Sequence, residues 1–476
     1  MTSTPDKIPQ AVVIGGGITG LACALRLLEL GREKNFPVQV LLIESSGKLG
    51  GVISTLRQDG CVLELGPDAI FTEKSWGLDF LKKLGLEKAV VDTNPGFRKS
   101  FVATRGKLYP VPEGFYLLAP SRIFPLIFSP IFSVRGKLRA LCDLFIPAKA
   151  EDGDESLESF VLRRLGKEVL ERMAQPMVGG VYSSDLKDMS LKATFPRFLE
   201  LERDYGSVIR GLASGRKVSG AGPVRGPRYS LFVSLERGLE RLVEKAREKI
   251  GEERIRFQTE TEAVYAEQGR FKIRCEGFEV EADALCLACP AHRSSKILDS
   301  LDGGLAGNLA QIPYRSGATV NLVYKKEDIP RPLDGFGFVV PEIEKSFISG
   351  CTFSSVKFLK RAPVGRVVLR AFAGGRSRAE FLGLSDGEIE TKARADLKKF
   401  LGVSAAPLFS VVRRYPDSLP QYRVGHPELV KKIENRLRNF RGLALAGNYF
   451  YGTGIPDCVR SGELAAEKMM GDLMNR

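Results

Sequence analysis

The spacing of apolar positions changes twice between residues 10 and 44. The run AVVI is continuous, apolar and β-branched, which is typical of a buried strand. After the glycines of GGGITG, apolar residues recur at helical spacing at Leu21, Ala24 and Leu28, and VQVLLIE is again a strand-like run. The pattern therefore predicts a strand, a tight glycine turn, a helix and a second strand.

Similar patterns farther along the chain predict a mixed α/β protein. Helical spacing recurs in four segments, 154–165, 166–173, 234–251 and 385–401. Apolar, β-branched runs predict strands at 254–258, 271–275, 284–288, 319–324, 335–340, 366–372 and 442–448. Residues 211–230 hold five glycines and two prolines, and we expect an exposed, mobile loop there.

Residues 115–147 are apolar and aromatic but are broken by Pro120, Pro125 and Pro130. No run of about 18 uncharged apolar residues occurs, so no transmembrane helix is predicted. Two interpretations of this segment remain open. It is either a set of short helices that cover a core, or a patch that lies in a membrane interface with phenylalanines inserted and cations on the headgroups.

The chain has 476 residues, which favours two or three domains, and a net charge of +14. Part of the excess is local, because residues 98–149 contain nine Lys or Arg against two acidic residues. Such an excess favours anionic partners. We do not expect nucleic acid to be one of these partners, since no recognised nucleic-acid-binding motif or stacking platform accompanies the basic segment.

Eight cysteines are scattered through apolar runs, which indicates free thiols in a reduced, cytoplasmic compartment. Cys286 and Cys289 form a lone C-x-x-C in a strand-like run and are predicted to be core residues. The chain has only two histidines, His292 and His426, so no metal site is predicted. For His426 we expect a structural hydrogen-bonding role in preference to proton transfer.

The first glycine turn has the spacing of a dinucleotide site. Gly15, Gly17 and Gly20 form G-x-G-x-x-G between a strand and a helix, where glycines allow a tight turn and close approach of a pyrophosphate. Glu44 ends the second strand, where a carboxylate can accept the ribose hydroxyls. Further glycine turns at Gly50–Gly51 and Gly66–Pro67 favour FAD over a nicotinamide cofactor, because FAD lies extended across such a domain.

Several longer motifs make the chain resemble the flavin-containing amine oxidase superfamily and, within it, the protoporphyrinogen oxidase family. They are KSFVATRGKLYPVP, GVYSSDLKDMSLKATFPRFLELERDYGSVIRG, SLERGLERL, CPAHRSS, GFGFVVP, PQYRVGH and GNYFYGTGIPDCVRSG. The resemblance implies an FAD enzyme of haem biosynthesis. Such an enzyme removes six electrons from protoporphyrinogen IX in three two-electron steps, and oxygen reoxidises the flavin with formation of hydrogen peroxide.

The resemblance also implies an architecture. It combines a Rossmann-like FAD domain of the p-hydroxybenzoate hydroxylase type, a mixed-sheet substrate domain and a helical membrane-binding domain. We expect FAD-binding parts at 1–95, 211–298 (after the mobile loop) and 439–476. The mainly helical membrane-binding region, with an edge of the substrate domain, is expected at 96–210, and the substrate domain at 299–438. The protein would then be cytoplasmic and peripherally associated with a membrane, with a porphyrinogen, O2 and the membrane surface as partners. A homodimer and hand-over to the next haem-pathway enzyme are further expectations.

The cofactor residues carried over by position lie in five short segments. They are Gly15, Gly16, Gly17, Ile18, Thr19 and Gly20; Glu44, Ser45, Lys48, Gly50, Gly51 and Val52; Gly66, Pro67, Asp68 and Ala69; Thr261; and Gly447, Asn448, Gly452, Thr453, Gly454 and Ile455. Arg98 and Arg105 are candidate anchors for a substrate propionate. No catalytic side chain is assigned, because the flavin supplies the hydride chemistry.

Three alternatives stay open at this point. The first is oxidation of coproporphyrinogen III, which has four propionates instead of two, by the same chemistry. The second is an amine oxidase or carotenoid-desaturase-like activity, which the YSSD and PQY segments disfavour. The third is a non-catalytic flavin- or porphyrin-binding membrane protein.

The closing segment AGNYFYGTGIPDCVRSG predicts a second glycine turn and a helix with Pro456 in its first turn. We expect the positive end of that helix to face the flavin ring and to stabilise the negative charge of the reduced flavin. Asp457 is predicted to cap the helix or to offset its dipole.

Overall fold

The structure is a computed structural model that describes residues 8–149, 153–179, 184–214, 230–374 and 381–476. Most of the predicted loop at 211–230 and part of the YSSD motif lie outside the described residues. The strands are β1 (Gln10–Ile14), β2 (Gln39–Ile43), β3 (Thr55–Gln58), β4 (Cys61–Glu64), β5 (Ile70–Phe71), β6 (Val90–Asp92), β7 (Phe101–Thr104), β8 (Lys107–Pro110), β9 (Phe115–Tyr116), β10 (Ala119–Pro120), β11 (Phe232–Leu235), β12 (Ile255–Arg256), β13 (Thr261–Glu267), β14 (Arg270–Cys275), β15 (Phe278–Ala282), β16 (Ala284–Leu287), β17 (Tyr314–Lys325), β18 (Gly337–Val339), β19 (Ile348–Phe353), β20 (Arg366–Gly374), β21 (Phe409–Pro420) and β22 (Leu443–Leu445).

The helices follow the same chain order. They are α1 (Ile18–Glu33), α2 (Trp76–Lys83), α3 (Ile123–Phe128), α4 (Val134–Leu141), α5 (Leu157–Arg164), α6 (Lys167–Val169), α7 (Leu191–Thr194), α8 (Pro196–Tyr205), α9 (Val208–Ala213), α10 (Glu240–Ile250), α11 (Ala291–Leu298), α12 (Gly303–Ala310), α13 (Ser354–Lys357), α14 (Asp386–Leu401), α15 (His426–Leu437) and α16 (Ile455–Met474). A π-helix follows α6 and spans Leu170–Gly179.

The first sheet is parallel and draws its strands from distant parts of the chain, in the order β12-β2-β1-β16-β22. Its central strand β1 is apolar and is buried from Ala11 to Ile14, as expected for a parallel sheet covered on both faces. The helices α1 and α16 pack against each other, and Gly462 allows this because a Cβ there would lie 2.2 Å from the Thr19 carbonyl oxygen. The first and last glycine turns therefore belong to one layer of the fold.

The second sheet has seven strands in the order β21-β17-β20-β19-β18-β7-β8. Most neighbours are antiparallel, whereas β18 and β7 are parallel, so the sheet is mixed. Helix α14 covers one face with buried side chains such as Ile389 and Leu397, and begins at a Ser385–Glu388 capping box. The other face meets residues 61–68 of the chain.

The helices between α3 and α9 enclose a separate hydrophobic core, which we call the third core because it adds to the cores beside the two large sheets. A buried ion pair crosses this region, where the Arg164 guanidinium lies 2.5 Å from the Asp143 carboxylate and both side chains are fully buried. Ser207 donates to the same carboxylate at 2.6 Å. Because both charges are paired and hydrogen bonded, the cluster is compatible with burial.

Two local sequence predictions need correction. The predicted helix at 234–251 starts only at Glu240, because Phe232–Leu235 forms β11 and pairs with β5 and β6. The predicted helix at 166–173 becomes α6 and then the π-helix. Pairing with neighbouring strands and packing in the helical core therefore override the local helical spacing.

The described residues include no helix that is both long and apolar enough to cross a bilayer. Within residues 115–147, Phe124, Phe128 and Phe145 are 77–82% exposed, whereas Phe132 is buried in the third core. Some phenylalanines of the segment therefore cover a core and others face outward, and the location of the segment in a membrane interface stays a prediction.

Candidate functional site

The first glycine turn leaves one position open. A Cβ on Gly15, which has φ +107°, would lie 2.9 Å from the Ala288 carbonyl oxygen, and one on Gly20 would lie 1.8 Å from the Gly15 oxygen. A Cβ on Gly17 would meet no heavy atom within 4 Å. The fold thus requires glycine at 15 and 20, while Gly17 opens a space at the start of α1, where Ile18 and Thr19 follow, that suits a bound phosphate.

Glu44 is held beside that turn at the carboxyl end of β2. Its Oε2 accepts from the Gly16 N–H at 2.7 Å and its Oε1 accepts from the Ser46 N–H at 2.8 Å. The side chain is half-buried, and Ser45 and Lys48 nearby are exposed. The carboxylate is fixed at the sheet edge where a ribose of the cofactor is expected.

The second and third glycine turns lie against the first. The Gly50 N–H donates to the Gly16 oxygen at 2.8 Å, and Gly17 and Gly50 form a parallel bridge. A Cβ on Gly66 would lie 1.7 Å from the Val52 oxygen, so the Gly50–Gly51–Val52 turn packs directly against the Gly66 segment, which follows β3 and β4 in the chain. The predicted turns therefore pack against one another, and their contact with a cofactor stays a prediction.

Asp68 stands in a cluster of cations that the sequence analysis missed. The Lys357 Nζ lies 2.8 Å from its Oδ2, and an Arg370 Nη1 lies 4.0 Å from its Oδ1. Burial raises the pKa of the Asp68 carboxyl, but Lys357 and Arg370 outweigh burial and lower that pKa to about 2. Asp68 is therefore ionised throughout the physiological range, and Pro67 and Ala69 beside it are partly buried.

The sequence did contain a signal for these cations. In the strand-like run RVVLRAFAG, Arg370 interrupts an otherwise apolar pattern, and in TVNLVY Asn321 does the same. A buried polar residue in such a run requires a partner, so both positions merited attention. Lys357 lies in the short helix α13 and carries no comparable signal.

The C-terminal turn joins the same site from the other end of the chain. The Gly447 N–H donates to the Ser461 hydroxyl at 3.0 Å, and α16 begins at Ile455 after Gly452, Thr453 and Gly454. Asp457 lies in the first turn of α16, 2.5 Å from the Lys74 Nζ. The predicted offset of the helix dipole by Asp457 fits this position.

Tyr422 and His426 clamp the loop that precedes this turn. Their rings stack 4.2 Å apart, and the Tyr422 hydroxyl donates to the Asn448 oxygen at 2.5 Å. The buried His426 Nε2 lies 3.3 Å from the Phe450 oxygen, and since a carbonyl only accepts, that nitrogen carries the proton. The structural role predicted for His426 agrees with this geometry.

Three predicted residues lie outside this group of turns. Thr261 is buried at the start of β13, with its hydroxyl 3.9 Å from the Cys275 sulfur, and its contact with the cofactor stays a prediction. Arg98 is exposed before β7, and Arg105 is exposed at the β7–β8 hairpin tip, where its N–H donates to Glu344. The role of both arginines as propionate anchors stays a prediction.

These turns fit an FAD molecule by the chemistry of their surfaces. They offer an open backbone position at Gly17, a fixed carboxylate at Glu44 and a run of close-packed glycines between them and Gly66. The residues that would hold the pyrophosphate and the ribose therefore lie in one continuous strip, which continues toward the segments expected near the flavin ring.

Comparison with known proteins supports the same assignment. The family described as flavin containing amine oxidoreductase matches residues 18–470. The chain is 32% identical to the coproporphyrinogen III oxidase of Bacillus subtilis over 97% of each chain. It is 30% identical to the chloroplastic protoporphyrinogen oxidase 1 of Arabidopsis thaliana, over 94% of this chain and 86% of that one. A crystal structure from Exiguobacterium sp. 255-15, provisionally named protoporphyrinogen oxidase, covers 100% of both chains at 29% identity and a TM-score of 0.85.

The contrast between Gly17 and Gly20 gives a test of the cofactor site. For Gly17→Ala we expect the free energy of unfolding of the apo-protein to change by no more than about 1 kcal/mol, because the methyl group enters open space. Its affinity for FAD should fall about tenfold or more, or about 1.4 kcal/mol, because the methyl group occupies the phosphate position. Urea unfolding and titration of the apo-protein with FAD measure the two quantities.

Gly20→Ala is the matched control for that substitution. We expect it to lower the free energy of unfolding by about 1–3 kcal/mol, since its methyl group collides with the Gly15 oxygen. Equal FAD affinity of Gly17→Ala and the unchanged protein would contradict the proposed site.

The His426 clamp predicts a pH dependence of stability. Burial lowers the pKa of His426 below its ordinary value of 6.5, against hydrogen bonds to the Phe450 and Tyr449 carbonyls and the charge of Asp154, which raise it. The unfolded chain then binds the proton first, so the free energy of unfolding falls as the pH drops below about 6.5, by at most about 1.4 kcal/mol per pH unit. Urea unfolding at several pH values measures the free energy of unfolding for the protein and for His426→Gln. We expect the additional fall below about pH 6.5 only in the protein that retains the histidine. Equal pH dependence of the two proteins would refute this prediction.

Proposed function

The chain belongs to the flavin-containing amine oxidoreductase family, and on that premise we propose that it oxidises coproporphyrinogen III to coproporphyrin III with FAD and O2. As a member it is an FAD-dependent oxidoreductase, and its relatives are porphyrinogen oxidases. The observation that carries the substrate proposal is the relationship to coproporphyrinogen III oxidases from three bacteria, at 31–32% identity over 96–98% of this chain. The net charge of +14 supports a substrate with four carboxylates.

Protoporphyrinogen IX is the second candidate substrate. It is favoured by the chloroplastic and bovine protoporphyrinogen oxidases, which are 29–31% identical to this chain. The two substrates undergo the same loss of six electrons and differ in carboxylate number. The choice between them therefore depends on cations near the substrate, for which Arg98 and Arg105 are the proposed positions.

The chain's own residues bind and orient the cofactor. The glycine turn at 15–20 would hold the pyrophosphate at the start of α1, and the carboxylate of Glu44 would accept the ribose hydroxyls. Tyr422 and His426 hold the carbonyl groups of the 448–450 loop, which keeps the glycine turn before α16 in place. Bound FAD supplies the two-electron chemistry, so the protein needs no acid–base triad of its own.

An aerobic fluorescence assay tests the activity. We expect coproporphyrin emission to rise with an initial rate about tenfold above that of protoporphyrin formation, equal to about 1.4 kcal/mol of differential transition-state binding. The matched control is the apo-protein of the same preparation, which should give only the autoxidation rate.

Each other outcome of this assay has a defined meaning. A faster rate with protoporphyrinogen IX would establish the second candidate. Emission at the autoxidation rate with both substrates, from protein that carries FAD, would overturn the enzymatic proposal in favour of a non-catalytic flavin or porphyrin carrier.

We further propose peripheral association with a membrane through an apolar surface of residues 96–210, which we call the phenylalanine patch. Its members are the exposed side chains Phe124, Ile127, Phe128, Val134, Leu138 and Phe145. Val134 and Leu138 lie four residues apart on α4, whose exposed Arg135 lies in the same helical turn. Exposed aromatic groups beside cations suit a surface of anionic lipid headgroups.

Substitution of the patch tests this proposal. Phe124→Ser with Phe128→Ser should weaken sedimentation with phosphatidylglycerol vesicles at least tenfold, because each inserted phenylalanine contributes about 1.5–3 kcal/mol. Val364→Ser is the control, since Val364 is fully exposed outside the patch. Unchanged vesicle binding by the double variant would contradict membrane association through these helices. Phe132 is unsuitable for the test, because it is a core residue.

A further inference from the structure

One face of the seven-stranded sheet carries polar side chains where it meets residues 64–66. Asn321 on β17 pairs directly with Arg370 on β20, and Thr319 lies two residues away on the same face. The Thr319 hydroxyl donates to the Leu65 oxygen at 2.7 Å, the Asn321 amide donates to the Glu64 oxygen at 3.3 Å, and Arg370 donates to the Gly66 oxygen. Three consecutive carbonyl groups are thus held by the sheet, which fixes the peptide that leads into Gly66–Ala69.

The charges at this contact do not balance. The cations are Lys357, Arg361 and Arg370, and the carboxylates are Glu64 and Asp68, so the cluster has a formal charge of +1 when all are ionised. Arg361 lies 3.3 Å from Glu64 and Lys357 lies 2.8 Å from Asp68, whereas Arg370 is 4.0 Å from Asp68. Arg370 is therefore the cation without a close carboxylate of its own.

Arg370 also retains an unused donor. Its side chain is 4% exposed, and its Nε is buried without a hydrogen-bond partner in the described part of the chain. The guanidinium lies 4.7 Å from the Phe372 ring, a cation–π contact that carries no negative charge of its own. The Asp68 carboxylate lies 4.0 Å from Arg370 and is shared with the closer Lys357, so the guanidinium is only partly compensated. Such a group is expected to have a further, negatively charged partner.

Arg370 donates a hydrogen bond to the Gly66 oxygen, and residues 66–69 are among those expected to lie near the flavin ring. In each two-electron step the substrate loses two electrons and two protons. Both electrons and one of these protons would pass to bound FAD and add one negative charge to it, while the second proton would be released. O2 later takes up two electrons and two protons to form hydrogen peroxide.

We propose that Arg370 is a positioning and electrostatic residue of the cofactor site, whose guanidinium offsets the negative charge that reduction adds to the flavin. The inference rests on the FAD cofactor and not on the identity of the porphyrinogen. Because the cation favours the reduced state over the oxidised one, it raises the reduction potential of the bound flavin.

The closing helix is a weaker source of the same effect. The positive end of a helix is equivalent to about half a charge, and an acidic residue in the first turn offsets it. Here Asp457 occupies the first turn of α16, although Lys74 pairs with it at 2.5 Å. Arg370 contributes a whole charge whose nearest carboxylate oxygen is 4.0 Å away, so we expect it to contribute more of the stabilisation than the helix does.

Substitutions of Arg370 test this inference on the flavin-loaded protein. Arg370→Met removes the charge at similar length, and Arg370→Lys keeps it. The measurements are the midpoint potential under anaerobic dithionite titration and the affinity for sulfite, which adds to oxidised flavin and leaves a negative charge on the ring. Neither requires a porphyrinogen, so a failure here is distinct from a failure of the proposed oxidation.

For Arg370→Met we expect the preference for the reduced state to fall about tenfold, equal to about 30 mV for a two-electron couple, and sulfite to bind about tenfold more weakly. Arg370→Lys should restore most of both. Arg414→Met is the matched control, because Arg414 lies on β21 and pairs with Asp386 at 2.7 Å beside α14, on the opposite face of the sheet. It should leave potential and sulfite affinity unchanged.

Two results would overturn the inference. One is an unchanged potential and sulfite affinity in Arg370→Met, and the other is an equal shift in Arg370→Met and Arg370→Lys, since then the charge is not the cause. If Arg370→Met does not retain FAD, the inference is tested instead by the spectrum of the reduced flavin in the unsubstituted protein. Its reduced flavin should keep the spectrum of the anion at a pH where free reduced FAD is neutral, and loss of that spectrum at the same pH as free FAD would equally overturn the inference.

Discussion

Close contacts between backbones, made possible by glycine, hold the two ends of this chain together, and the proposed cofactor site depends on them. Gly20 lies against Gly15 within the first turn, Gly66 lies against Val52, and Gly462 lies against Thr19. A side chain at any of these positions would push the two contacting segments apart. In the second and third contacts, those segments lie more than ten residues apart in the sequence. The result is that four short segments, 15–20, 44–52, 66–69 and 447–455, none of which forms a site alone, are brought together by these contacts.

The second constraint is electrostatic. The mixed sheet meets this strip with Thr319, Asn321 and Arg370, which hold consecutive carbonyl groups of residues 64–66. A sheet that had only to pack against the strip would carry apolar side chains there, as its other face does under α14. The polar face links residues 64–66 to a buried positive charge, so the fold and the proposed redox properties depend on the same contacts.

Local signals in the sequence were sufficient for the elements whose structure is decided locally. The glycine spacing predicted the turn between β1 and α1, and Ser385 with Glu388 marks the start of α14. The sequence was insufficient where distant strands decide the outcome. Phe232–Leu235 has helical neighbours but pairs with β5 and β6, and Phe132 belongs to an apolar run but is buried while Phe128 is exposed. Lys357 and Arg370 reach Asp68 from about 300 residues away, so no spacing rule links them.

The central claim is that the separate glycine turns form one FAD site with the ring between its two flavin-side segments. A crystal structure of the purified protein with FAD tests it most directly. We expect the pyrophosphate beside Gly17, a ribose on Glu44, and the flavin ring in contact with both residues 66–69 and residues 452–455. A ring that contacts neither segment, or a pyrophosphate away from the first turn, would contradict it.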